Sequence, residues 1–188
     1  MDYFPKLIEL AGGIRDKGLR AKVVSLLKDP ALSNKGFPYK AVPVRDAPAS
    51  LGFHHVQKGG LAKHTYVVAS LSLAIAGVLE ENYQKVDRDV LVAGALLHDI
   101  AKVFDMKKAG DGFGATELSI YHIIMGSAEL YARGFPESVI HLIASHFGEQ
   151  GTTSPQSIEA VILHYADTIS AVAGTSKASR LLQLLGEQ

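Results

Sequence analysis

The 188-residue sequence contains no cysteine, and its acidic and basic side chains balance to a formal net charge of zero. Without thiols there are no disulfides and no thiolate ligands, so any metal shell must come from histidine and carboxylate. Such a shell suits Fe(II), Mn(II), Ni(II), Co(II) or Zn(II) without choosing among them. Zero net charge removes the long-range field that would gather nucleic acid or coat an anionic membrane, so any phosphate contact has to be local. The opening Met-Asp-Tyr-Phe-Pro-Lys lacks the basic and apolar regions of a signal peptide. The most hydrophobic stretch, Tyr66 to Leu79, is interrupted by Ser70 and Ser72 and falls short of the roughly 20 residues that span a bilayer. A cytoplasmic protein without a membrane partner is expected. No fixed-period repeat or low-complexity tract stands out. The length suits one domain with a substantial core.

Strand signals are scarce and helical ones dominate. Apolar spacing predicts helices over about Tyr3 to Leu10, stopped at Gly12-Gly13, and about Asp16 to Lys28, with Leu19, Val23, Leu26 and Leu27 on one face. Asp29 to Gly60 holds four prolines and no sustained period, which predicts a long irregular, ordered flap that delivers the chain to His64. A helix apolar nearly all round is expected from Leu61 to Glu81, and another from an Asp87 cap through Val103. Lys107 to Ala115 reads as a turn-rich loop or small hairpin rather than a phosphate cradle, because no strand precedes it and no Lys-Ser/Thr follows. Thr116 is expected to cap a helix to Arg133, Pro136 to open one to about Phe147, and Ser154-Pro155 to start the next. That last helix carries Ile158, Val161, Ile162, Tyr165, Ile169 and Val172 at helical spacing, before an amphipathic segment from Lys177 to Leu185. The expected domain plan is a helical lead-in and loop over residues 1–52, packed on a core over residues 53–188.

Within the apolar run Ala-Gly-Ala-Leu-Leu before Ile-Ala-Lys102 sits the doublet His98-Asp99. An imidazole and a carboxylate taken out of water uncompensated cost several kcal/mol, and a bound cation is one efficient compensation. In a continuous helix adjacent side chains diverge by about 100°, so only a metal at the helix edge reaches both. His64, His122, His146 and Asp167 are the further candidate metal ligands. Lys102, three residues beyond Asp99, shares its side of the helix and can neutralise a substrate phosphate, or else is a solvated lysine closing the helix. His141 and His164 read as structural or orienting groups, with His164 one turn from Asp167. Substrate contact and plain surface exposure are equally open for His54 and His55. Arg45, Lys58 and Lys63 are weaker phosphate contacts, and Thr168 fits a bond within its own helix.

Three blocks carry a family resemblance: His54-His55-Val-Gln-Lys-Gly59-Gly60-Leu-Ala-Lys-His64-Thr65; Leu96-Leu97-His98-Asp99-Ile-Ala-Lys102-Val103; and Ser145-His146-Phe147-Gly148 followed by Ser154-Pro155, Glu159-Ala160 and Leu163-His164 before Asp167. Together they resemble the HD-domain superfamily of metal-dependent phosphohydrolases. They are most similar to the HD domain of bacterial 3′-to-5′ exoribonucleases that attach an OB fold to it, and to small archaeal HD hydrolases, some of which are cyclic phosphodiesterases acting on a pterin 2′,3′-cyclic phosphate. The resemblance implies an all-α HD helical bundle and a divalent-metal cofactor. Two histidines between doublet and final Asp resemble the dinuclear phosphodiesterases, implying two ions: His64, His98 and Asp167 on the first, His122 and His146 on the second, and Asp99 bridging. Two departures stand out. Residues 1–52 offer no five-stranded barrel, and Phe147 stands where the exonuclease-like motif usually has a second histidine.

The expected function is a phosphodiesterase that uses metal-activated water on a small nucleotide-like or cyclic-phosphate substrate, with Asp99 and Lys102 as catalytic residues. The alternatives are an exoribonuclease-like hydrolase of short RNA and a non-catalytic metal- or nucleotide-binding module. The sequence leaves the oligomeric state open.

Overall fold

The computed structural model describes residues 1–175; the expected amphipathic segment from Lys177 to Leu185 lies outside the described residues. Helix α1 (Phe4–Gly12) begins with Pro5 in its first turn, where a missing N–H costs nothing. Helix α2 (Lys17–Lys28) starts at Asp16, whose carboxylate accepts from Leu19 N at 2.8 Å, and buries the expected face of Leu19, Val23, Leu26 and Leu27. After the irregular segment come α3 (Gly60–Asn82) and α4 (Arg88–Leu97), the latter capped by Asp87, whose side chain accepts from Asp89 N and Val90 N. The remaining elements are a 3-10 turn (Ile100–Phe104), a hairpin of β1 (Met106–Ala109) and β2 (Gly112–Ala115), then α5 (His122–Ala132), α6 (Glu137–Ser145) and α7 (Ile158–Ala173). The fold is therefore mostly helical, with one small antiparallel hairpin in the place left to a loop or hairpin.

Helix α4 is the centre of the bundle. Every residue from Leu91 to Leu97 is buried, as a helix apolar on all faces requires, and it packs against α2, α3, α6 and α7. Helix α3 is long and apolar enough to cross a membrane by length and composition alone; here it packs against α1, α4 and α7 and buries His64. The irregular segment is pinned to this body by backbone bonds from Val42 N to Val103 O at 2.9 Å, Leu61 N to Ala47 O at 2.9 Å and Gly59 N to Asp46 O at 3.0 Å. It is an ordered wall, as expected of a flap that leads into α3.

Four expectations change in detail. The helix from Asp87 stops at Leu97, so the doublet lies in a break before the 3-10 turn. Thr116 caps nothing; its hydroxyl donates to Phe104 O at 2.8 Å, and α5 starts only at His122. Ser157, not Ser154, caps α7, accepting from Ala160 N at 3.2 Å. The face of α7 turned inward is Ala160, Ile162, Leu163, Ala166 and Ser170, while Val161, Tyr165 and Ile169 are exposed. The inward face thus joins Ile162 and Leu163 to three small residues, and the stripe of Val161, Tyr165 and Ile169 lies on the outer face.

Gly94 marks the closest approach of α4 to α6: a Cβ there would meet Leu142, whose own Cβ would be 2.9 Å away. Alanine gains about 1 kcal/mol of helix propensity over glycine, but overpacking costs about 1–3 kcal/mol, and Leu142 Cβ cannot swing aside. Gly94→Ala is therefore expected to lower stability by about 1 kcal/mol or more in urea denaturation; an unchanged or raised midpoint would show that α6 yields.

Candidate metal centre

Two histidines occupy matching positions. His98 follows the last residue of α4 and its Nδ1 donates to Ala95 O at 2.9 Å; His146 follows α6 and its Nδ1 donates to Ile143 O at 2.7 Å. A neutral imidazole that donates through Nδ1 presents a bare lone pair on Nε2. His64, in the first turns of α3, has Nδ1 2.9 Å from Ser170 Oγ of α7, and His122, first residue of α5, has Nδ1 3.8 Å from Asp105 Oδ2. Three of the four rings are thus held from behind by a hydrogen bond and the fourth, His122, stands beside a carboxylate, with Nε2 facing inward in all four.

Asp99 lies at their focus. Its φ of −107° and ψ of 12° take it out of the helix, which is how the adjacent His98 and Asp99 converge instead of splaying. Around Asp99 Oδ2 stand His64 Nε2 and His98 Nε2, each at 3.4 Å. Asp167 Oδ1 is 3.0 Å from His64 Nε2 and 3.7 Å from His98 Nε2, and the two Nε2 atoms are 3.3 Å apart. Around the other oxygen, Oδ1, stand His122 Nε2 at 3.3 Å and His146 Nε2 at 3.7 Å. Ligands on metal bonds of about 2.1 Å stand roughly 3.0–3.4 Å apart, and most of these separations fall in or near that range.

The donor set fits a divalent cation on a second ground. Asp99 Oδ1, His122 Nε2 and His146 Nε2 are buried without a hydrogen-bond partner. Orphaned groups of this kind are rare in a folded core, and a cation satisfies all of them at once. Lys102 Nζ lies 2.8 Å from Asp99 Oδ2 as an ion pair, which removes the reading of Lys102 as a solvated helix end. Side-chain exposures of 16% at Asp167, 14% at Lys102 and 8% at His122, against 0% at His64 and His98, show from which side solvent reaches the centre.

Burial opposes charge throughout the centre, and neighbours decide the outcome. Asp99 is held well below the usual carboxylate range because Lys102 and His98 outweigh its desolvation, and Asp167 likewise through its bonds to His64 and His98. Desolvation is outweighed at His98 by Asp99 and Asp167, which push it up to about 10. His146 goes the other way: burial, then His98, brings it down to about 4.

Other candidates find different partners. His54 and His55 are buried beside His64, with ring centroids 4.8 and 5.3 Å from it, which overturns surface exposure for both. Burial, then His64, lowers them to about 3 and about 4. His164 does not orient Asp167; its Nδ1 donates to the backbone carbonyl of His146 at 2.9 Å. His141 Nε2 accepts from Gln156 N at 3.0 Å, a tie for the loop before α7. Thr168 bonds His164 O within α7, as expected. Arg45 stacks over Phe4 at 4.9 Å and Lys58 pairs with Asp46 at 3.1 Å, so neither is directed at the centre. Sequence reasoning missed Ser170 and Asp105; Ser170 was detectable in principle, three residues after Asp167 and hence on its face of α7.

A family model described as HD domain matches residues 61–172. The dihydroneopterin 2′,3′-cyclic phosphate phosphodiesterase of Methanocaldococcus jannaschii is 45% identical over 165 residues, covering 86% of this chain and 66% of that protein. The 3′-5′ exoribonucleases YhaM of Bacillus velezensis and Bacillus subtilis are each 33% identical, covering 70% and 67% of this chain and 44% and 43% of theirs. The chain thus spans slightly under two thirds of the first relative and less than half of the other two. No solved structure gives a significant match.

With a folded pKa above the ordinary 6.5, protonated His98 stabilises the metal-stripped protein fully below about pH 6.5, a contribution lost as pH rises through about 10. Asp99 and Asp167, both lowered, contribute above their ordinary 3.8 and lose that contribution only as pH falls below it. A cation needs the lone pair this His98 proton occupies, so metal uptake at pH 7 is expected to release about one proton and to tighten toward alkaline pH. Calorimetry in two buffers of different ionisation enthalpy counts that proton; a count near zero would refute its placement on His98.

Proposed function

The chain belongs to the HD-domain family, and from that premise we propose that it is a metal-dependent phosphodiesterase acting on a small molecule with a cyclic or diester phosphate. The observation that carries the reading is Asp99: a buried carboxylate whose two oxygens are each turned to a separate set of imidazole nitrogens, with Oδ1 left without a hydrogen bond. The name of the 45% identical relative supports the cyclic-phosphate substrate class. The exoribonuclease names at 33% identity support phosphodiester chemistry in common, with RNA as the competing substrate.

In this reading His64, His98, Asp167 and Asp99 Oδ2 hold one divalent ion, and His122, His146 and Asp99 Oδ1 hold a second. Bound there, divalent ions supply Lewis acidity, which acidifies water and offsets charge on phosphoryl oxygens. The protein's own groups do the rest. The backbone carbonyls of Ala95 and Ile143 keep the protons of His98 and His146 on Nδ1, so their Nε2 lone pairs stay available. Lys102, kept cationic by Asp99 and Asp167 despite its burial, neutralises phosphoryl oxygen charge as the ester bond breaks. The buried walls limit water to the side where Asp167, Lys102 and His122 retain exposure.

Metal-reconstituted protein is expected to hydrolyse bis-p-nitrophenyl phosphate and a 2′,3′-cyclic mononucleotide. Asp99→Ala should abolish this, and Lys102→Met should lower kcat by about 10²-fold with metal retained. Turnover of a labelled RNA oligomer alone would overturn the small-molecule reading, and no metal-dependent hydrolysis would leave a non-catalytic module. For the ion count, elemental analysis should give about two ions per chain, falling by about one in His122→Ala or His146→Ala. Destabilisation of either variant without loss of metal would make those histidines structural.

A further inference from the structure

The irregular segment places two imidazoles against the metal centre that the ligand set does not use. His54 and His55 are both buried, and their Nδ1 atoms are 3.1 Å apart. Two nitrogens at that distance share one hydrogen, so one ring donates and the other accepts. A ring that accepts through Nδ1 has no hydrogen there, so it is neutral and carries its single ring hydrogen on Nε2. Whichever ring accepts, the pair therefore keeps an N–H on its outer side. Their ring centroids lie 4.8 and 5.3 Å from that of His64, so the pair borders the centre itself.

The segment is built to hold this pair at some cost. His55 is the only non-glycine residue with positive φ among the described residues, at 46°, a conformation costing about 1–3 kcal/mol. Two glycines make room for it: a Cβ on Gly60 would collide with the His55 carbonyl, and a Cβ on Gly174 with the His55 ring. Ser50 Oγ closes the preceding turn, accepting from Phe53 N and His54 N and donating to His54 O, each at 2.9 Å. Ala49 N donates to His55 O at 3.1 Å, and His54 forms a bridge with Thr175. Packing alone does not need a histidine at such a position, where glycine is easier.

A third ion is also a poor explanation. An ion on the pair would need His64 as its third ligand, and that ring is already committed, with Nδ1 2.9 Å from Ser170 Oγ and Nε2 3.0 Å from Asp167 Oδ1. Resting on the phosphoester reading above, we propose that His54 and His55 act as one hydrogen-bonding unit that binds a phosphoryl oxygen of the substrate beside the metal centre.

The test uses the metal-loaded full chain and inorganic phosphate as probe, with His54→Phe, His54→Gln and His55→Asn, the last chosen because asparagine tolerates positive φ. Each variant is checked for metal content and thermal midpoint. Calorimetric phosphate affinity is expected to fall about tenfold in His54→Phe at unchanged metal content and to recover in large part in His54→Gln; about tenfold is the loss of one 1.4 kcal/mol interaction. Equal affinity in wild type and His54→Phe would overturn the proposal. So would loss of metal in step with loss of phosphate binding, which would make the pair a support for His64, and so would absence of phosphate binding by metal-loaded wild type. Wild type that binds phosphate through the pair yet hydrolyses no diester would instead sink the phosphodiesterase reading and leave this one standing.

Discussion

A buried carboxylate, Asp99, and a half-buried one, Asp167, at the junction of five helices are the constraint around which the chain is organised. Asp99 is almost wholly enclosed, Asp167 less so, and both are held ionised by the cations and imidazoles around them. An uncompensated carboxylate in such a place is untenable. The protein answers with four inward-facing imidazoles and a lysine ammonium drawn from the helices and turn around it. The cost of this polar core is offset by the apolar one beside it: α4 is buried on every face, and α3, α6 and α7 close over it.

The irregular features of the backbone are concentrated where this cluster needs them. Helix α4 ends one residue before the doublet, the 3-10 turn begins one residue after, and α6 ends just before His146. Helix C-termini present unpaired carbonyls and a partial negative charge. Here two of those termini also anchor imidazole protons, so the same carbonyls satisfy themselves and set the tautomer of a ligand. The strained His55 and the glycines around it belong to the same shell. Regular helix supplies the distance between the groups, and broken helix supplies their direction.

Much of this was legible in the sequence because burial and polarity conflict there. A His-Asp doublet inside a run of Ala and Leu has few innocent explanations, and His64 and Asp167 lie in comparably apolar helices. Helix existence was readable for the same reason, through periodicity. Helix ends were not: Thr116 resembled a cap, yet its hydroxyl is consumed by Phe104 O, and one serine was taken where another three residues on does the capping. Nor could periodicity rank two competing stripes on α7, where Ile162 and Leu163 turn inward with Ala160, Ala166 and Ser170 while Tyr165 and Ile169 stay outside. Pairings between distant segments, such as His164 with the carbonyl of His146 or His54 with His64, leave no local trace at all.

The ties of His98 and His146 to the helices they follow make the centre a caliper. His98 and His146 cannot swing on their side-chain torsions without giving up bonds to Ala95 and Ile143, so the 5.3 Å between their rings follows the spacing of α4 and α6, set where Gly94 meets Leu142. The gauge of the cavity is thereby written into helix packing far more than into side-chain choice. Any change in that spacing would have to pry two core helices apart, and the core, close-packed and stiff, resists it.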